Sequence, residues 1–299
     1  MPQLRPLVLI ALLVPVLGVS ACTAPTPGPR INGMPANVDI SAYADVHAVL
    51  NREDETMVFP IDAFFIDPRT RGRILQANAL LWDECMRAGG RSYPPAEFDL
   101  TGSALVPDTN YGIWSADRAA RFGYGMDPSD GAEMEAANAA YMATDADPGW
   151  EPAFEKCTDT TALLPEPGRW TAGPEAMAVA GPAKQVASDA YVLATADPDW
   201  DRARSEWSDC LVANGLRLRS GEESPWGPEV PEDPEEAIRT AVLDVQCKEE
   251  TGLVETLSSL EAQYQAALID QNRAAMDEVA EKEQEIIAQA EKILAEHGR

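Results

Sequence analysis

The sequence predicts a mainly α fold: disulfide-stapled helical units with a long aromatic loop and a long C-terminal helix. Three observations predict it. Asp-Pro pairs recur ahead of helical apolar spacing, four cysteines ride on the helices so opened, and residues 252–296 contain no Pro and no internal Gly.

Asp-Pro stands at Asp67-Pro68, Asp127-Pro128, Asp147-Pro148, Asp197-Pro198 and Asp233-Pro234. An Asp carboxylate accepts the free N–H groups of a first helical turn, and Pro suits the first helical position because its missing donor is not needed there. Each pair is therefore a candidate helix start. After Asp67 the residues Ile74, Asn78, Leu81, Cys85 and Ala88 fall on one helical face, and Gly89-Gly90 stops the run. After Asp197 the face is Trp200, Ala203, Trp207 and Cys210, stopped at Asn214-Gly215. After Asp147 it is Trp150, Phe154 and Cys157, and after Asp233 it is Ile238, Ala241 and Val245 with Cys247 beside them.

Two stretches repeat. YMATDADPGW (residues 141–150) matches YVLATADPDW (residues 191–200) at Tyr, Ala, Asp, Pro and Trp. Trp82-x-x-Cys85-Met86-x-Ala88-x-Gly90 likewise resembles Trp207-x-x-Cys210-Leu211-x-Ala213-x-Gly215. The chain thus reads as two related units, residues 38–162 and 176–299, joined by a Pro- and Gly-rich linker at 163–175. Four cysteines allow three connectivities, and spacing alone does not choose. With two units, the natural pairing is Cys85 with Cys157 and Cys210 with Cys247.

The segment 92–127 is long and aromatic. Tyr93, Tyr111, Trp114 and Tyr124 are its candidate ligand-facing rings; the plainer expectation is that they seal a small helical core. Weak strand signals lie near Val106 and at residues 216–218. In the C-terminal run a seven-residue register fails, because Gln271, Glu278 and Glu281 would enter the seam. An eleven-residue step fits: Leu257, Leu268, Val279 and Ala290 on one line, Tyr264, Ala275 and Ile286 on another. That period predicts a nearly straight helix of roughly 65 Å if continuous, packed at its start and projecting at its end, or serving as a partner-binding arm.

The first residues concern address. Arg5 precedes an apolar run over residues 7–17 and then Gly18-Val19-Ser20-Ala21-Cys22, the order of a secretory signal peptide over residues 1–21. The run is short against the roughly 20 apolar residues needed to span a bilayer. Val19-Ser20-Ala21-Cys22 resembles a bacterial lipobox, which implies diacylglyceryl transfer to Cys22, cleavage before it and further acylation, as by palmitate. Residues 22–37 follow as a Pro-rich flexible tether. Lipid on Cys22 is then the expected membrane contact, on the extracytoplasmic face of the cell membrane.

Several motifs together resemble a group of uncharacterised secreted lipoproteins of actinobacteria. They are Phe59-Pro60-Ile61-Asp62-Ala63-Phe64, the Trp82-to-Gly90 motif, Tyr111-Gly112-Ile113-Trp114 with Phe122-Gly123-Tyr124-Gly125, Asp244-Val245-Gln246-Cys247-Lys248, and Gly252-Leu253-Val254. The likeness covers most of residues 58–275. It implies an envelope location and a helical, disulfide-bonded fold, and it implies no reaction. Where the group has an aromatic after the glycine, this chain has Arg91 in the first unit and Leu216 in the second.

Composition narrows the functions. The formal net charge is −27, and loss of a leader carrying Arg5 and no acid lowers it by one. Such a surface repels phosphate backbones and anionic headgroups, so no nucleic-acid partner is expected. Only His47 and His297 exist, neither placed for a Ser-His-Asp or Cys-His arrangement. No C-x-x-C, S-x-x-K, G-x-S-x-G, Walker or G-x-G-x-x-G motif occurs. Asp145, Asp147 and Glu151 are closely spaced oxygen ligands but lack the glycine and terminal Glu of an EF-hand. No catalytic residue, metal or cofactor is therefore assigned. The expected function is non-enzymatic protein contact in the envelope, as a transporter or wall-assembly accessory. Two alternatives are a small-ligand or wall-fragment binder using the aromatic loop, and a carboxylate-dependent wall hydrolase.

Overall fold

The computed structural model describes residues 30–31, 34–35, 38–52, 55–102, 107–127, 131–169, 171, 173–219 and 226–299. The signal peptide, Cys22, most of the tether and Val106 lie outside the described residues. The described chain is mainly helical and stapled by two disulfides. Its helices are α1 (Pro68–Ala88), α2 (Ala116–Phe122), α3 (Ala132–Met142), α4 (Trp150–Thr160), α5 (Pro174–Thr195), α6 (Pro198–Ala213), α7 (Pro234–Thr251), α8 (Leu253–Gln271) and α9 (Arg273–Glu296). Two small antiparallel hairpins precede them: β1 (Arg30–Ile31) with β2 (Met34–Pro35), and β3 (Val49–Asn51) with β4 (Thr56–Val58).

Three of the five Asp-Pro pairs act as read. Asp67, Asp197 and Asp233 accept N–H groups of the first turns of α1, α6 and α7, with Pro at the start of each. Asp147 does not cap α4, which starts after Gly149; it opens the preceding turn, taking the Gly149 N–H at 2.8 Å and the Arg91 guanidinium at 2.9 Å. The pair at Asp127 runs into residues outside the described set.

The repeated helix ends are the same structure. Gly90 (φ 75°) and Gly215 (φ 78°) turn the chain left-handed. The next N–H then reaches five residues back, Arg91 to Met86 and Leu216 to Leu211, each at 3.0 Å. This satisfies carbonyls that a helix end leaves open. The other repeat also recurs in space: Tyr141 meets Trp150 edge-on at 5.3 Å and 87°, and Tyr191 meets Trp200 at 5.8 Å and 89°.

The disulfides are Cys85–Cys157, stapling α1 to α4, and Cys210–Cys247, stapling α6 to α7. Apolar side chains gather in two main clusters. The first joins Met57 to Phe65, Tyr111 and Trp114 to α5, α6, α8 and the start of α9. The second joins α1, Tyr93, Trp150 and Leu164 to Ile286, Ala290 and Leu294 on α9. The stretch read as a linker is packed onto α1, where Asn78 exchanges two hydrogen bonds with the Leu164 backbone at 2.9 and 3.0 Å.

The C-terminal run departs from the expectation in two ways. It is interrupted at Asn272, whose φ of −115° and ψ of 22° leave the helical well while its side chain bonds the Leu268 carbonyl at 2.8 Å. It also packs throughout instead of projecting. Tyr264 bonds Asp197 at one end of α5 and Lys282 bonds Ala178 near the other, so α8 and α9 run antiparallel along it. The Ala178 carbonyl is free for that bond because Pro182, four residues on, has no N–H to give. Beyond α5 the run continues onto α1, where Arg73 clasps Glu291 through two bonds of 2.6 Å. The eleven-residue lines are nonetheless the buried ones: Leu257, Leu268, Val279, Ala290, Tyr264, Ala275 and Ile286 are all buried.

The aromatic segment is more regular than expected. It holds 3-10 turns at Pro94–Glu97 and Leu100–Gly102 as well as α2. Of the weak strand signals, residues 216–218 supply one isolated bridge, Leu218 to Pro228, while β3 and β4 carried no alternation long enough to read.

Each disulfide closes a long loop, with separations of 72 and 37 residues. Replacing either pair with alanines should lower unfolding free energy by about 2–5 kcal/mol, measured by urea titration. Non-reducing peptide mass spectrometry should recover the two pairs and no Cys85–Cys210 species.

Candidate functional site

Among the described residues, two buried polar clusters are each centred on an acid. In the first, α7 places Asp244 and Lys248 one turn apart, with Cys247 between them stapled to α6. Both charged side chains are buried, at 0% and 1% exposure, with Nζ and Oδ2 3.2 Å apart. An ammonium has three protons. Lys248 gives them to Asp244, to the Ile113 carbonyl at 2.8 Å and to the Trp226 carbonyl at 3.0 Å. Asp244 in turn accepts from Trp207 Nε1 at 3.0 Å and the Tyr124 hydroxyl at 3.2 Å. Burial pushes the Asp244 carboxyl up and the Lys248 ammonium down, and their mutual attraction opposes both shifts. With every proton and both oxygens engaged, the pair holds its charges against that cost.

Gly112 lets the chain pass this point. At φ 77° it lies so close to Lys248 that an added Cβ would stand 2.8 Å from Nζ and 2.4 Å from the Trp226 carbonyl. No other residue type fits there.

The second cluster centres on Glu261 of α8. Its carboxylate accepts from the Tyr111 hydroxyl at 2.7 Å, from Gln265 at 3.0 Å and from Arg169 at 3.1 Å. Arg169 also faces Asp62 at 3.6 Å and lies over the Phe59 ring. Asp62 closes the 3-10 turn Pro60–Phe64 by taking the Phe59 N–H at 2.7 Å, and Gln265 takes the Ile61 N–H at 3.2 Å. Burial raises both carboxyls above the ordinary range, with Arg169 pulling each back. Tyr111 is raised by burial first and by Glu261 second.

Of the four candidate rings, Tyr93, Tyr111 and Trp114 are buried and Tyr124 is half-buried. Tyr93 stacks on Phe154 at 5.5 Å and on Trp150 at 6.4 Å, and burial pushes its hydroxyl up to about 12. Tyr111 and Tyr124 address Glu261 and Asp244, while Trp114, 3% exposed, donates to the Asp108 carbonyl at 2.7 Å. The rings do not share one open face. A shallow surface dimple, too small to hold a water molecule, is lined by Arg52, Trp114, Lys248, Glu249, Val254 and Glu255. Arg52 lies over Trp114 there and is held by Glu249 at 3.0 Å and Glu255 at 2.7 Å. The cysteines sit in the two disulfides; Cys22 lies outside the described residues. Asp145 and Glu151 do not share a cation position with Asp147, and no metal-holding cluster occurs among the described residues.

The repeat explains a difference between the clusters. Three residues before Cys247 stands Asp244, the acceptor for Trp207. Three before Cys157 stands Phe154, whose ring meets Trp82 edge-on at 5.4 Å. Trp82 Nε1 is accordingly buried without a hydrogen-bond partner among the described residues. Asp244 and Lys248 were legible as part of a motif, but Glu261 and Arg169 carried no such signal among many acids and few cations.

Removing one member of the Asp244–Lys248 pair strands the other. Asp244→Leu and Lys248→Met should each destabilise by about 3–5 kcal/mol, and the two combined should cost clearly less than the sum of the single changes. Urea titration of the cycle checks this. No protein-family model, curated protein or solved structure matches the chain.

Proposed function

We propose that the chain is a lipoprotein held by lipid on Cys22 at the extracytoplasmic face of the cell membrane, acting without catalysis through protein contacts in the envelope. The observation that carries this reading is Val19-Ser20-Ala21-Cys22, placed where a short apolar run ends and a Pro-rich stretch begins. The two disulfides support it, because such bonds persist in oxidising compartments outside the cytoplasm. Resemblance of the Pro60, Trp82, Tyr111 and Asp244 motifs to actinobacterial secreted lipoproteins points the same way. Among the described residues no helix is long and apolar enough to cross a membrane. Attachment therefore rests on the acyl chains, of which two or three hold stably where one is marginal.

Protein contact, as an accessory of a transporter or of wall assembly, is favoured over the ligand-binding alternative by the inward direction of Tyr93, Tyr111, Trp114 and Tyr124. It is favoured over the hydrolase alternative by Asp62 and Glu261, whose carboxylates are both occupied by internal donors.

Metabolic labelling with an alkyne fatty acid tests the anchor. The natural chain should take up label and sediment with membranes, and Cys22→Ser should lose label and drop its membrane-bound fraction by at least about tenfold. Label retained in Cys22→Ser would overturn the assignment. Cross-linking in intact membranes should return the same envelope protein across replicates, and the absence of any reproducible partner would count against the contact role.

A further inference from the structure

Glu283 of α9 is an acid in an apolar place. It is 5% exposed, its Oε1 is buried with no hydrogen-bond partner, and the Ile66 backbone N–H faces the carboxyl. Its position is where the chain crosses between the two main cores. On α9, Val279 belongs to the first cluster and Ile286 to the second. In the segment before α1, Phe65 belongs to the first and Ile66 to the second. On α5, Ala180 belongs to the first and Val179 to the second, beside the Ala178 carbonyl that Pro182 leaves for Lys282. Three segments of chain therefore carry side chains of both cores, and Glu283 lies on one of them and faces Ile66 of another.

The charged groups on the elements packed against this point do not neutralise it. On the Pro60–Phe64 turn, Asp62 faces Arg169. On α1, Arg73 is clasped by Glu291 and Arg71 faces Glu166 at 4.0 Å. On α5, Lys184 gives its protons to the Gly168 and Arg169 carbonyls. On α8, Glu261 is held by Arg169. Lys282, next along α9, points to Ala178.

We propose that the Glu283 carboxyl is a protonation-dependent latch between the two cores: neutral, it stays in the dry seam and holds Ile66; ionised, it draws in water and frees α9 from the start of α1. A buried carboxylate with no counter-charge is costly, whereas the neutral acid needs only ordinary hydrogen bonds. In keeping with this, burial pushes the Glu283 carboxyl up to about 7, with the Ile66 N–H opposing. The sign follows from linkage. A carboxyl whose folded value is raised binds its proton more tightly when the seam is closed. Closure is therefore fully favoured below the ordinary glutamate range and weakens as pH rises toward about 7.

Hydrogen exchange of the full chain, corrected for base catalysis, tests the latch. Amides of residues 66–80 and 279–294 should open about tenfold more readily at pH 8 than at pH 6, and Glu283→Gln should abolish that excess. The same ratio in both proteins, no rise in the natural chain, or an equal rise throughout α7 would overturn the proposal. Should Glu283→Gln fail to fold, the side-chain carboxyl ¹³C shift of Glu283 in the natural chain decides. A midpoint near 7 supports the latch, and one in the ordinary glutamate range overturns it.

Discussion

Two charges, Asp244 and Lys248, are buried one turn apart on α7, and much of the architecture is arranged to make that tolerable. Satisfying them takes the Ile113 and Trp226 carbonyls, the Trp207 indole and the Tyr124 hydroxyl, drawn from four separate stretches of chain. Each donor or acceptor must arrive with its own segment in place. The Tyr111-Gly112 turn has to pass where only glycine fits, α2 has to end at Gly123 so that Tyr124 can point back, and α6 has to hold its Trp207 face against α7. The disulfide from Cys210 to Cys247 fixes the last of these covalently. A buried pair of this kind is weak evidence for added stability, yet it imposes one arrangement, because any other leaves a charge without partners.

The second cluster extends the same logic to the N-terminal side. Glu261 draws Tyr111 and Arg169 onto α8, and through Arg169 and Gln265 it holds the Pro60–Phe64 turn against the helices. Tyr111 thus faces Glu261 while its neighbours Gly112 and Ile113 border Lys248, so one short loop serves both clusters. Around the Cys85–Cys157 disulfide, rings take the place of such a polar centre, Trp82, Tyr93, Tyr141, Trp150 and Phe154 packing on one another. Apolar packing is adaptable in a way that buried charge is not. The unpartnered Trp82 indole marks where the two solutions diverge.

Local rules carried far in this chain. Caps depend on atoms two or three residues apart, so Asp67, Asp197 and Asp233 could be read directly, and the eleven-residue lines of α8 and α9 appeared as the buried ones because a straight helix keeps that period on one side. The repeated W-x-x-C ends led to the disulfide pairing, since equivalent helix ends present their cysteines equivalently. Asp147 misled because an Asx turn and an N-cap look alike in sequence. Glu283 was hidden among the acids, most of which are solvated, and only its neighbours in space distinguish it.

The sequence by itself determined where α1, α6 and α7 begin, where α1 and α6 end, which lines of the C-terminal run are apolar, which cysteines are partners, and that the motif Asp244-Val245-Gln246-Cys247-Lys248 is a helical turn. Only the tertiary structure decided what the side chains face. Tyr111 lies 150 residues from Glu261, Tyr124 lies 120 from Asp244, and Arg73 lies 218 from Glu291. No periodicity encodes such pairings, because they arise when helices already formed by local preference choose the packing that leaves the fewest buried polar groups unmatched. The same choice laid the C-terminal helices along α5 and α1, and it drew inward the aromatic rings that the sequence had left free to face either way.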